Sequence, residues 1–150
     1  MGYRIAMLFG SQDVVTAARI NRDAALLGTE VILLEHSGRC LNVLKSVEPF
    51  DSLAILVTPG GPDPRGLQIM VDWARKNRKL ALALIHPGAH WTSWELLEGM
   101  VKVHLDLQRP TCGLEGIFNV LSEIQGLEKW ELRDLYAFVS VAFVAVALEP

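Results

Sequence analysis

The 150-residue chain predicts an α/β fold in which a parallel sheet is covered on both faces. Three observations carry that reading. Continuous apolar runs, above all Leu53-Ala54-Ile55-Leu56-Val57 and Leu80 to Ile85, suit strands buried on both sides. Amphipathic stretches of helical spacing separate these runs. Strand and helix alternate five times along the chain, which implies parallel pairing through right-handed crossovers.

Each element has a local reason. Tyr3 to Phe9 reads as the first strand and Gly10-Ser11-Gln12-Asp13 as its turn. A helix then runs to about Leu27, with Ala17, Ile20, Ala24 and Leu27 on one face and Gly28 as its C-terminal stop. Glu30 to Glu35 is the second strand, and Arg39 to about Val47 a short helix. Asp51 to Thr58 is the third strand. Asp63-Pro64 then supplies an N-cap followed by proline at the first helical position. Leu67, Met70, Val71 and Ala74 keep the spacing of a helix packed on a sheet. Leu80 to Ile85 is the fourth strand, Thr92 with Glu95 matches a capping box, and Val101 to Leu107 reads as the fifth strand. Helical segments follow from about Leu114 and from about Glu131 to Leu148. The expectation is a single domain, residues 1–150. It is a flavodoxin-like, Rossmann-like three-layer sandwich with a five-stranded parallel sheet.

Composition narrows the function classes. Hydrophobic residues make up 51% of the chain and charged residues 21%, enough for one sizeable core. A net charge of -3 and a pI near 5.8 argue against general nucleic-acid binding, which needs a basic surface. The densest basic group, Arg75, Lys76, Arg78 and Lys79, falls where a helix should end, and cations there complement its dipole. Two cysteines, Cys40 and Cys112, without a CxxC, exclude a disulfide framework and suit a reducing cytosol. No signal peptide is visible. The longest apolar stretch, Leu135 to Leu148, is 14 residues, short of the roughly 20 that span a bilayer. A soluble, cytoplasmic protein without a cofactor is expected.

The final helix is apolar on most of its circumference, through Phe138, Val139, Val141, Ala142, Phe143, Val144, Val146 and Leu148. It is a core helix, a strand-like segment given its many β-branched residues, or the interface of a homodimer.

Strands three and four each stop at a glycine-bearing turn, at the sheet edge where open α/β sheets bind ligands. Candidate binding residues gather there: Gly10, Ser11 and Gln12 in the first turn, Gly60 and Gly61 in Pro59-Gly60-Gly61-Pro62, and His86, Gly88 and His90 in the fourth. Arg65 is placed to clamp an anionic group, and Arg109 lies in the turn Gln108 to Gly113 after strand five. The first turn opens a helix, whose unpaired amides attract anions, although it is neither a GxGxxG fingerprint nor a P-loop. Asp13 would repel an anion if it pointed inward; capping the helix is its alternative role. Trp91 and Trp94 cover the edge or stack on a flat ligand. His86 and His90 form an HxxxH pair, with His104 and Asp106 on the next strand. Pro87 and Gly88 make that segment a turn and spoil the helical geometry a Zn²⁺ or Fe²⁺ site would use, so no metal is assigned.

A strand ending in Pro59-Gly60-Gly61, a helix, and a strand ending in the sharp turn at His86 resembles the class I glutamine amidotransferase-like superfamily over residues 51–104. The resemblance implies that the glycine turn helps to form an oxyanion hole and that the second turn carries a nucleophilic cysteine. Here that position is His86, and neither Cys40 nor Cys112 lies at a strand-to-helix elbow. The chain is in this respect more similar to the superfamily's cysteine-less trehalose-utilization-like branch.

Two readings follow. The first is a binding module for a nucleotide or other anionic metabolite, resembling ligand-sensing domains of nucleotide signalling and dimeric through the C-terminal helix. The second is an amidotransferase-like hydrolase or lyase. In it His86 would be a general base, oriented by Asp13 or Glu95, with the Gly60 and Gly61 amides stabilising an oxyanion. A phospho-acceptor receiver domain is excluded, because strand three ends at Thr58-Pro59 and not at an aspartate.

Overall fold

The computed structural model describes residues 3–36, 42, 45–46, 49–62, 64–89, 100–105 and 127–148. Five strands, β1 (Arg4–Phe9), β2 (Glu30–Glu35), β3 (Ser52–Val57), β4 (Leu80–Ile85) and β5 (Val101–His104), form one sheet in the order β2-β1-β3-β4-β5. All four pairings are parallel. This is the flavodoxin-like order, with its topological switch point between β1 and β3. Among the described residues three helices flank the sheet: α1 (Val14–Leu26), α2 (Pro64–Lys76) and α3 (Lys129–Ala147).

Strand alternation sorts the core into two layers. Ile5, Met7 and Phe9 of β1, Ala54 and Leu56 of β3, and Leu80, Leu82 and Leu84 of β4 pack with α1 and α3. Ala6 and Leu8, Leu53, Ile55 and Val57, and Ala81, Ala83 and Ile85 face α2 through Leu67, Met70, Val71 and Ala74. Both faces of β1, β3 and β4 are therefore dry, which is why their sequences read as unbroken apolar runs. Helix α1 ends as expected: Gly28 adopts φ +88°, and the Thr29 N–H closes on Ala24 O at 3.0 Å.

The final segment is a helix and not a strand. Leu132, Leu135, Phe138, Val139, Val141, Ala142, Phe143, Ala145 and Val146 are buried within the chain, so the core-helix expectation accounts for most of its apolar surface. Its start is fixed at the N-terminal edge of the sheet. The Tyr3 N–H donates to the Asp134 carboxylate at 3.1 Å, and the Trp130 ring meets Tyr3 edge-on. From there α3 packs beside α1 on the same face of the sheet. Burial pushes the Tyr3 hydroxyl well above the usual tyrosine range; the neighbouring Ser52 hydroxyl partly offsets this, and Asp51 and Glu131 add to it.

Several expected elements lie outside the described residues: most of the Arg39–Val47 helix, the Asp63 cap, the Thr92–Glu95 capping box and the helix from Leu114. The fifth strand is described to His104. Its ladder continues by one bond, Leu105 N–H to Ile85 O at 2.8 Å, and residues 106 and 107 lie outside the described range.

Candidate functional site at the C-terminal edge of the sheet

The parallel ladder positions the turns. One residue past β2, the His36 N–H donates to Phe9 O at 2.8 Å; one residue past β4, the His86 N–H donates to Val57 O at 2.8 Å. Both histidines thus begin their turns held by the neighbouring strand. The His36 Nδ1 is buried and meets no hydrogen-bond partner among the described residues.

At the switch point the first and third turns meet directly. A Cβ on Gly10 would lie 3.6 Å from Gly61 backbone atoms, ordinary contact distance. The third turn is closed on itself, by Thr58 N–H to Gly61 O at 3.0 Å and Gly61 N–H to Thr58 O at 3.2 Å. Gly61 has φ +141°, where a side chain would be strained. The peptide bond from Gly61 to Pro62 is cis. At Gly60 the space of a side chain is taken by a neighbour. The Gln12 side chain lies over it, and a Cβ there would fall 1.6 Å from Gln12 Oε1.

Asp13 does not cap α1, against the capping expectation: its side chain makes no cap hydrogen bond. The carboxylate instead crosses the switch point and accepts the Thr58 hydroxyl at 2.6 Å. That hydroxyl also lies 3.1 Å from Gly61 O, but it has one proton, and the shorter, charge-assisted contact takes it. The negative charge therefore points inward, in the orientation expected to repel an anion. It sits where the amides of the α1 N-terminus would otherwise attract one.

The fourth turn is closed by its own amides. Pro87 and Gly88 form a turn, and the Ala89 N–H closes it on His86 O at 3.0 Å. The Gly88 N–H donates to His86 Nδ1 at 2.9 Å. An imidazole that accepts at Nδ1 carries its proton on Nε2. A Cβ on Gly88 would lie 3.3 Å from both His86 Nδ1 and Pro59 Cγ, so the third and fourth turns also touch.

The structure thus brings together Gly10, Gln12, Asp13, Gly60, Gly61, His86 and Gly88, with Ser11 exposed in the short 3-10 turn Ser11–Asp13. His104 ends β5 with its side chain exposed. Arg65 falls in the first turn of α2, but its side chain lies outside the described residues. So do His90, Trp91, Trp94, Glu95, Asp106 and Arg109. Thr58 was read from the sequence only as the end of a strand. Its signal was a lone hydroxyl closing an otherwise apolar run. Among the described residues no group of three His, Cys, Asp or Glu side chains is placed to hold a metal ion, and no helix is long and apolar enough to cross a membrane.

No protein-family model matches the chain, and no curated protein matches it. Among solved structures it is similar to a chain from the crystal structure of histidine kinase ThkA in complex with response regulator protein TrrA. The two are 14% identical, with a TM-score of 0.47, over 77% of this chain and 97% of that one.

Proposed function

We propose that the chain is a small-molecule-binding domain that recognises a nucleotide or another anionic metabolite at the C-terminal edge of its sheet. The observation that carries this is the meeting of the first, third and fourth turns beside the switch point, Gly10 against Gly61 and Gly88 against Pro59 and His86, where open α/β sheets bind ligands. The inward Asp13 carboxylate keeps anionic groups away from the β1 side of the crevice. The ligand's phosphate or carboxylate accordingly lies toward β4, over the His86 turn, and not at the α1 N-terminus.

Thermal-shift measurements against nucleotides, cyclic oligonucleotides, sugar phosphates and divalent metals test the reading. At a hundred times Kd a ligand stabilises the native state by about 2.7 kcal/mol. A shift with a phosphate-bearing compound that disappears in His86→Ala is the expected result. A shift with Zn²⁺ or Fe²⁺ alone, or one indifferent to His86→Ala, overturns it.

The second reading is the amidotransferase-like hydrolase or lyase. It is favoured by the contact of Pro59 with the His86 turn, which sets a glycine turn beside the elbow residue. General-base action at Nε2 would need the ring proton on Nδ1, donated to a carboxylate, where Nδ1 instead accepts an amide. The Gly61 N–H, one of the two oxyanion donors of that reading, is spent on Thr58 O. These two hydrogen bonds weigh for binding over chemistry.

A further inference from the structure

Helix α3 is covered by its own chain on most of its circumference and leaves one stripe to solvent. Tyr136, Val144 and Leu148 are 42%, 53% and 63% exposed. Ser140 lies on the same side, midway between Tyr136 and Val144. No residue from Leu135 to Leu148 carries a charge, so the stripe lacks the charged side chains with which a helix ordinarily meets water. The last turn of α3 has no basic residue, although its unpaired carbonyls and the dipole favour a cation there. The stripe's cation sits at the opposite end. Arg133 has a 79% exposed side chain, with its Nε 3.8 Å from an Asp134 carboxylate oxygen.

From this arrangement we propose that the outer stripe of α3 is a homodimer interface, in which two copies of the helix pack antiparallel about a two-fold axis at Ser140. A two-fold contact must be self-complementary, and this stripe is so in each of its layers. Tyr136 and Val144 each lie four residues from the axis, so the tyrosine of one protomer covers the valine of the other. The small Ser140 side chains let the helices approach at the centre. Arg133, seven residues before the axis, faces the partner's Ala147, seven residues after it. The guanidinium thereby reaches the terminal carbonyls that lack a cation of their own. A parallel pairing would set Arg133 against the partner's Arg133 and leave both C-terminal ends without one.

The inference does not depend on ligand binding, and its test is the oligomeric state of the full chain. In sedimentation equilibrium the protein is expected at twice its 16.6 kDa, dissociating reversibly on dilution. Val144→Glu buries an unpaired charge at the interface and should weaken the dimer at least about 100-fold. Because Val144 is exposed in the protomer, the variant keeps its helical circular dichroism, and its melting temperature matches that of the wild type diluted to monomer. Arg133→Glu should weaken association about tenfold, and more at low salt. Ile69→Glu, an exposed position on α2 at the other face of the sheet, leaves the dimer intact. A wild-type monomer at every concentration overturns the proposal. So does a dimer that survives Val144→Glu, or one that Ile69→Glu abolishes.

Discussion

Replacing Thr58 by valine preserves the shape of a side chain that is 4% exposed and removes its hydroxyl, so the Asp13 carboxylate loses the donor that reaches it at 2.6 Å. A hydrogen bond to a charged group contributes roughly 1.5–3 kcal/mol when well buried. Asp13 is only partly buried, and water competes for it. The working value is therefore about 1–2 kcal/mol. For a chain of this size each kcal/mol moves Tm by about 2–4 °C, so Thr58→Val should melt roughly 2–8 °C lower. A double-mutant cycle with Asp13→Ala isolates the pair, since the alanine removes the same bond from the other side. Urea unfolding followed by tryptophan fluorescence gives each corner of the cycle. The midpoints should move while the denaturant dependence stays constant. The cycle should return a coupling of about 1–2 kcal/mol. A coupling within about 0.3 kcal/mol of zero would mean that the two turns are held by their backbones alone, refuting the account of Asp13.

Other perturbations test other layers of the structure. The Tyr3 hydroxyl titrates higher folded than unfolded, so its contribution is complete below the unfolded value near 10 and is lost as pH rises beyond it toward the folded one. Tyr3→Phe should therefore decline less steeply than the wild type in alkaline unfolding; an equal slope would contradict the burial of that hydroxyl. Asp134→Ala strands the Tyr3 amide and should cost about 1–3 kcal/mol in chemical denaturation, with no loss reading against the lock between β1 and α3. Phe138→Ala empties a fully buried position and should cost about 3–5 kcal/mol by the same assay. Gly60→Ala displaces only the far end of Gln12, so stability should stay within about 0.5 kcal/mol. The Gln12 side-chain amide signals in a ¹⁵N spectrum should move, and unmoved signals would show that Gln12 does not occupy that space.

The architecture was legible where the chain obeys one rule at a time. Strand β4 falls where its apolar run begins and ends, because a strand dry on both faces permits no polar interruption. Leu67, Met70, Val71 and Ala74 are all buried, because their spacing has a single helical solution. Gly28 ends α1 for the reason its position suggested. The site was less legible. Asp13 before a helix fits a cap, and nothing local announces that Thr58, 45 residues away, offers the better partner. Gly60 and Gly61 look alike in sequence. One serves a positive φ and the other a neighbour's side chain, and only the fold separates these roles. The surroundings of α3 were equally hidden, since an apolar circumference does not say which side belongs to the chain's own core.

The bond between the Tyr3 amide and Asp134 spans 131 positions, and β1 lies inside the sheet with β2 and β3 at its sides. A ribosome adding about 5–20 residues per second needs roughly 7–26 s to travel from one end of that bond to the other. Throughout this interval β1, α1 and β2 can assemble, yet the part of the sheet that α3 will cover, with Ile5 and Met7 in its core, still lacks its cover. The nascent chain thus carries an apolar sheet surface until Lys129–Ala147 has been made. Its yield in a cell accordingly depends on what shields that surface until α3 docks.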